Sequence, residues 1–259
     1  MKKKNNNAQR QCISVILRVA APLLVIVTWY YAVTGGKINQ ALLPSPQRVF
    51  ETLVTMLQDG KLAEGLLVSA KRVLIGFSIG AALGLVIGTF MGLSKYINSF
   101  LGSIVGILRP IPMIAWMPLL ILWFGIAEKS KYVVIAIGTF WSVLLNTIHG
   151  IHSVDPKLKE VATVLEKKPI TVLFKVVYPA ALPGIFTGIR LGMGAAWSCV
   201  VAAEMIAATK GIGYMIMYAR ELSKPDVLLV GMLSIGLVGL IIDSGIMYLE
   251  KLILRWNVG

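Results

Sequence analysis

The chain has 259 residues, of which 57% are hydrophobic and 14% charged, with a mean hydropathy of +0.79 and a net charge of +13. Soluble domains carry about 25% charged residues, so this deficit excludes an ordinary soluble enzyme. The basic residues lie in short polar stretches beside apolar runs, as where membrane proteins meet anionic lipid, and nucleic acid is excluded as a partner.

A bilayer-crossing helix needs about 20 apolar residues, so the length admits about five to seven spans. Cys12 precedes the first span and Cys199 lies inside a later one. That placement predicts no disulfide and no cysteine metal site. Span 1 covers about Ile13–Val33; it is too long for a signal-peptide core and reads as an uncleaved span. Pro44-Ser45-Pro46 then starts a short helix too charged to cross, which predicts an interfacial position. Span 2, Val73–Ser94, carries Gly76, Gly80, Gly84, Gly88 and Gly92, a four-residue spacing that makes a flat ridge for a close neighbour.

Span 3 lies within Ile97–Phe124 and is broken at Arg109-Pro110-Ile111-Pro112 and at Pro118. Freed carbonyls need protein or water partners. Two readings of Arg109 stand: it faces the protein interior or a cavity, or it snorkels to the headgroups from a simple kink. Span 4, Tyr132–Ile151, ends in Asn146, His149 and His152; the two histidines lack a carboxylate or cysteine to complete a metal site.

Between spans 4 and 5 lies a polar-punctuated stretch, Asp155–Pro183. Asp155 suits an N-cap and Pro156 the first helical position. Leu158, Val161, Ala162 and Leu165 share one face, and Lys167-Lys168-Pro169 ends that helix. Ile170, Leu173, Phe174 and Val177 form the face of a second short helix, closed by Pro179 and Pro183. The two helices make a knob at the membrane surface where a partner can seat it. Span 5, Gly184–Ala208, holds Gly184, Gly188 and Gly192 with Arg190 and Glu204. A loop with a helix near Tyr214–Glu221 leads to span 6, Val227–Leu249, which carries Asp243. The expected fold is therefore all-α and integral to the membrane, with six spans and both termini on the knob's side. The lysine-rich knob makes that side cytoplasmic. The counted Lys and Arg of the two sides, including Lys2, Lys3, Lys4, Arg10 and Arg255 on one and Lys37, Arg72 and Lys131 on the other, are nearly balanced.

The knob resembles the EAA loop of permease subunits in type I ABC importers. Glu160-Val161-Ala162, followed by Val176-x-Tyr178-Pro179, stands for Glu-Ala-Ala, three residues, Gly, nine residues, Ile-x-Leu-Pro. Val161 replaces the middle alanine, and Glu166 replaces the turn glycine. Glutamate does not take positive φ freely, so a turn reshaped by about one residue is expected. The blocks LLPSPQRVF, LRPIPMIAWMPLLILWFGIAEKSK, LLNTIHGIHSVD, YPAALPGIFTGIRLGMGAAW, VVAAEMI and GIGYMI look like the nitrate, sulfonate and taurine branch, nearest to aliphatic-sulfonate permeases.

The resemblance implies a type I permease fold: residues 1–64 as tail, first span and interfacial helix, 65–250 as the transmembrane domain with the EAA loop at 155–183, and 251–259 as tail. It implies a second copy of the chain, a solute-binding protein outside, and two ATPase subunits inside that bind ATP and Mg. Glu160, Ala162, Leu165, Glu166 and Pro179 become the coupling element. No Gly-x-x-x-x-Gly-Lys-[Ser/Thr] phosphate loop occurs, so the chain itself shows no ATPase site and needs no cofactor of its own. For a small anionic solute the candidate pathway residues are Arg109, Trp116, Asn146, Arg190 and Glu204, polar or amphipathic groups at membrane depth. Sulfonate, taurine, nitrate, bicarbonate and a pyrimidine precursor stay open as substrate. An ion-coupled secondary transporter using Glu204 or Asp243, and a non-transporting scaffold, are the rival readings.

Overall fold

The computed structural model describes residues 20–36 and 38–254, apart from the side chains of Lys159 and Thr163. The expectations for Lys2, Lys3, Lys4, Arg10, Cys12, Lys37, Arg255 and the first part of span 1 lie outside the described residues.

Every element among the described residues is helical: α1 (Ala20–Thr34), α2 (Pro46–Gln58), α3 (Lys61–Leu93), α4 (Lys95–Leu108), α5 (Met113–Phe124), α6 (Glu128–His152), α7 (Pro156–Val164), α8 (Pro169–Val172), α9 (Tyr178–Ala207), α10 (Ile212–Glu221) and α11 (Pro225–Ile253). Four helices are long and apolar enough to cross a membrane: α3, α6, the continuous run Pro169–Ala207 and α11. The pair α4 and α5, bent by 94°, makes a fifth if counted as one span. A sixth would rest on α1, which over the described residues is apolar but shorter than the four spans.

Helix α6 is the centre. Its buried face includes Ile135, Thr139, Val143, Leu144, Thr147 and Ile151. The glycine ridge of α3 lies against it. A Cβ on Gly76 would stand 2.6 Å from Ile135 Cβ, one on Gly84 2.9 Å from the Phe140 carbonyl oxygen, and one on Gly88 2.8 Å from that of Leu144. At Gly80 the added carbon would overlap the Ala136 carbonyl. From the other side α9 approaches as closely: a Cβ on Gly184 would lie 2.8 Å from Gly150 Cα, and one on Gly188 2.8 Å from Asn146 Cβ. In lipid, where apolar burial gives no drive for helix pairing, such backbone approach supplies the dispersion contacts.

Ser94 serves both neighbouring helices: its N–H ends α3 on the Phe90 carbonyl, and its hydroxyl accepts the Ile97 N–H that opens α4. The corner between α4 and α5 falls on Arg109–Pro112, as the prolines require. In α2, Ser45 caps the first turn, Pro46 sits at its start, and Val49 and Met56 are buried against Leu62, Ile212 and Val230.

Three sequence expectations are corrected. Helix α3 starts at Lys61, upstream of the Val73 expected for span 2, and Arg72 is a buried helical residue instead of a loop cation. Lys131, also counted as a loop cation, is buried in α6. Pro179 and Pro183 do not close a second knob helix. Pro169–Ala207 is one 39-residue helix. A π-helical turn at Leu173–Val177, closed by the Tyr178 N–H on the Leu173 carbonyl, precedes Pro179. The wider turn makes room for a ring that lacks its donor, so the helix continues.

Replacing Gly80 by alanine should lower the thermal midpoint of the detergent-solubilised protein, by about 1–3 kcal/mol of overpacking. Gly245, whose added Cβ meets nothing within 4 Å, is the control: Gly245→Ala should leave the midpoint unchanged.

Candidate functional site

Two features at opposite ends of the helical bundle carry chemistry. The first is a buried ion network. Glu204, near the end of α9, is 1% exposed. Its Oε1 accepts Arg72 Nη1 at 2.8 Å, its Oε2 accepts the Gly213 N–H at 2.9 Å, and Ser69 Oγ lies 2.7 and 2.8 Å from the two oxygens. Ser69 Oγ in turn accepts the Ile212 N–H at 3.0 Å, so the start of α10 is seated on this pair.

Arg72 spends its remaining donors on the Lys210 carbonyl at 2.6 Å and, bidentately, on Glu128 at 2.6 and 2.7 Å. Lys131 Nζ reaches Glu128 at 3.2 Å. One guanidinium thus joins α3, α6, α9 and the loop before α10, and a planar fork suits this better than an ammonium. Gly211, at φ +117°, packs where a Cβ would overlap the Glu204 carboxylate. On the exposed rim Lys210 donates to Glu64 at 2.9 Å, which raises the lysine pKa.

The second feature is the knob, at the other end of α3, α6 and α9. Asp155 Oδ1 accepts the Lys157 N–H at 2.9 Å and Pro156 begins α7. The chain turns at Glu166, which takes φ +49°. Lys167 N–H bonds the Ala162 carbonyl at 3.2 Å, the six-residue closure of a Schellman turn. The expected reshaping of this turn does not occur: glutamate occupies the glycine conformation itself, at a cost of about 1–2 kcal/mol.

Ala162 is buried, while Leu158, Val161, Val164, Leu165, Ile170 and Phe174 are exposed. Glu160 and Glu166 are also exposed, and Pro179 is half-buried. The base of the knob is held by Val177, Ala181 and Ile185 against Ile151 and Val154, and by the hydrogen bond of 2.9 Å between Thr89 Oγ1 and Tyr178 Oη. The continuous helix from Pro169 is about 58 Å long at 1.5 Å per residue, nearly twice the hydrocarbon thickness of about 30 Å.

The five pathway candidates do not converge; among the described residues no hydrogen bond or ion pair joins any two of them. Glu204 is consumed by the network. Asn146 donates to the Ser142 carbonyl at 2.8 Å and packs on Gly188. Trp116 borders an apolar cavity of about 460 Å³ between α3, α5 and α6, its own Nε1 buried without a partner. Arg109 is exposed at the corner. Arg190 makes a two-bond pair with Asp243 on α11, at 2.6 and 2.8 Å.

Sequence reasoning missed Arg72, Ser69 and Glu128. The signal was present: Gly65, Ser69 and Arg72 continue the phase of the glycine ridge toward the start of α3, which marks them as facing α6 and α9. His149 and His152 are exposed, and no group of three metal-ligating side chains occurs among the described residues.

A bundle of apolar helices, with buried ion pairs at one end and an exposed amphipathic hairpin at the other, is the architecture of a multi-pass membrane protein. Residues 80–255 match the family described as the binding-protein-dependent transport system inner membrane component. The chain belongs to that family, and within it to the nitrate, sulfonate and taurine branch of ABC permeases. It is 40% identical to a putative aliphatic sulfonates transport permease of Escherichia coli, over 93% of each chain. It is 34% identical to the taurine transport system permease of the same organism, over 94% of this chain and 90% of that one. The fold is shared with a chain of the inward-facing MetNI methionine ABC transporter, with a TM-score of 0.67 at 16% identity over 76% of this chain and 96% of that one.

Removing one partner of the buried pair strands a charge. Arg72→Met should cost about 3–5 kcal/mol in detergent unfolding, and the double variant Arg72→Met/Glu204→Met should cost less than Arg72→Met alone. Glu166→Gly should raise the midpoint by about 1 kcal/mol through relief of the left-handed strain.

Proposed function

We propose that this chain is the membrane-spanning subunit of an ATP-driven importer for a small oxyanion, an aliphatic sulfonate or taurine-like solute above nitrate, bicarbonate or a pyrimidine precursor. The observation that carries this reading is the exposed apolar knob on a member of the sulfonate and taurine branch. Apolar side chains held out of both lipid and core belong to an interface.

In this reading two ATPase subunits bind ATP and Mg and seat one knob each from two copies of the chain. Glu160, Ala162, Leu165, Glu166 and Pro179 form the coupling element. Ala162 packs the hairpin, Leu165 is offered to the groove, and Glu160 and Glu166 meet basic groups there. Pro179 fixes the exit into the span. The solute-binding protein docks at the end of α2 and α10. The knob side, with both termini, is cytoplasmic.

Of the pathway candidates, the geometry favours Arg190 and Arg109, which are open to a solute, over Asn146, Trp116 and Glu204. The rival ion-coupled mechanism needs a free carboxylate at depth, and both Glu204 and Asp243 are engaged by arginines.

Glu160→Lys should abolish ATP-driven uptake of taurine and ethanesulfonate while leaving the amount of inserted permease unchanged. Normal uptake by the inserted variant would refute the coupling role. Loss of wild-type uptake on collapse of ion gradients, with ATP maintained, would favour the rival mechanism.

A further inference from the structure

Helix α3 is tied to the base of the hairpin by one polar contact. Thr89 lies near the end of α3, between Gly88 and Gly92, which pack on Thr147 and Ile151 of α6. It is 7% exposed. Its hydroxyl donates to the Leu85 carbonyl at 2.7 Å. A hydroxyl has one proton to give. Toward Tyr178, 2.9 Å away, Thr89 Oγ1 is therefore the acceptor and the phenol the donor. Among the described residues no other hydrogen bond joins α3 to residues 155–183.

On its other side the Tyr178 ring stacks on Phe174, with centroids 5.5 Å apart and planes 24° apart. Phe174 is exposed on the hairpin. A path of touching groups thus runs from the hairpin surface through the Tyr178 ring and hydroxyl to Thr89 and the Leu85 carbonyl. In the Ile-x-Leu-Pro pattern position 178 belongs to leucine, which has no hydroxyl to offer.

The contact sits where the long helix has the fewest backbone bonds. The wide turn Leu173–Val177 closes through the Tyr178 N–H on the Leu173 carbonyl. Pro179 follows at once and has no N–H to give. Helices bend at wide turns and at prolines. Here the helix runs on unbroken, braced from outside. Val177, Ala181 and Ile185 pack on Ile151 and Val154, with Leu85 of α3 at the border of the same cluster. That packing is non-directional. The phenol hydroxyl adds direction, since a hydrogen bond fixes where its partners stand.

We propose that the Tyr178–Thr89 hydrogen bond is a strut that keeps the hairpin from twisting at the wide turn, so that its displacement by an ATPase partner moves α3, α6 and α9 together. The inference rests on the importer reading. The glycine-clasped helices form a stiff block, so any yielding gathers at the turn. Without the strut, part of each ATP-driven displacement is lost as bending, and ATP is hydrolysed without solute crossing. Tyr178 and Thr89 are positioning residues.

The test reconstitutes the permease with its ATPase and binding protein in liposomes and measures taurine and ethanesulfonate uptake per ATP hydrolysed. Tyr178→Phe keeps the ring and removes only the hydroxyl; it should lower that ratio about fivefold. Thr89→Val should lower it equally, and the double variant no further than either single one. Thr89→Ser, which keeps a hydroxyl, should hold the wild-type ratio. Ser78→Ala is the control: this α3 hydroxyl bonds the Leu74 carbonyl of its own helix at 2.7 Å, and its loss should leave the ratio unchanged. A purely structural contact would lower the inserted amount, or uptake and hydrolysis in step, with the ratio intact. That outcome overturns the proposal, as do additive losses in the double variant, a fall in Thr89→Ser as large as in Thr89→Val, or a fall in Ser78→Ala. If Tyr178→Phe does not accumulate, Thr89→Val and Thr89→Ser decide by the same criteria. Failure of Thr89→Val to accumulate as well shows a purely structural contact and overturns the proposal. Wild-type uptake with an unchanged ratio in the variants defeats this inference alone. ATP hydrolysis by the wild-type complex with uptake of neither solute defeats the importer reading, and this inference with it.

Discussion

The distance between helix axes governs this molecule. α6 is clasped on two sides by glycines of α3 and α9, and at several of them an added carbon would stand within about 3 Å of opposing backbone or Cβ atoms. Three helices at such range cannot slide or rotate individually, since each backbone is the other's packing surface. Lipid tails are as apolar as leucine, so it is this fit, and not exclusion from water, that selects the arrangement. The large apolar side chains point outward, as on Leu83, Val86 and Leu237.

The clasp leaves the two ends of the bundle free to specialise. At one end the Arg72 guanidinium collects Glu128, Glu204 and a loop carbonyl, and fixes α10 over α9. That end has its buried charges, Arg72, Lys131 and Glu204, paired within the chain. At the other end the hairpin of α7 and α8 keeps its apolar side chains unanswered. Within a single chain, a satisfied end resists change and an unsatisfied end invites a partner. The permease assignment draws its force from that asymmetry together with the family match.

Much of this was legible in the sequence. The four-residue glycine spacing foretold the ridge, the Arg-Pro-Ile-Pro run foretold the corner, and Asp155-Pro156 foretold the start of the knob. What failed did so for local reasons. Proline rules placed a helix end at Pro179, but a single wide turn absorbed the ring. Glutamate at position 166 argued against a left-handed turn, but the Schellman closure on Ala162 outweighed the strain. Arg72 read as a loop charge because its partners lie 56 and 132 residues away, a separation that periodicity cannot sense. Glu204 was singled out as polar at depth; only its neighbours in space reveal that it is spoken for. Arg190 and Asp243 were each visible, but their pairing follows from the antiparallel register of α9 and α11, which no local pattern encodes.

The unbroken helix from Pro169 to Ala207 joins the hairpin to the sealed end without a joint. Each residue of an α-helix turns its successor by about 100°. A single insertion or deletion between Gly184 and Glu204 would swing the hairpin round to face a different compass bearing while every side chain on either side of the cut kept its own chemistry. The number of residues in that rod is therefore as much a part of the machine as any charged group. Its length should be the least negotiable property of the chain, although no single position within it advertises the fact.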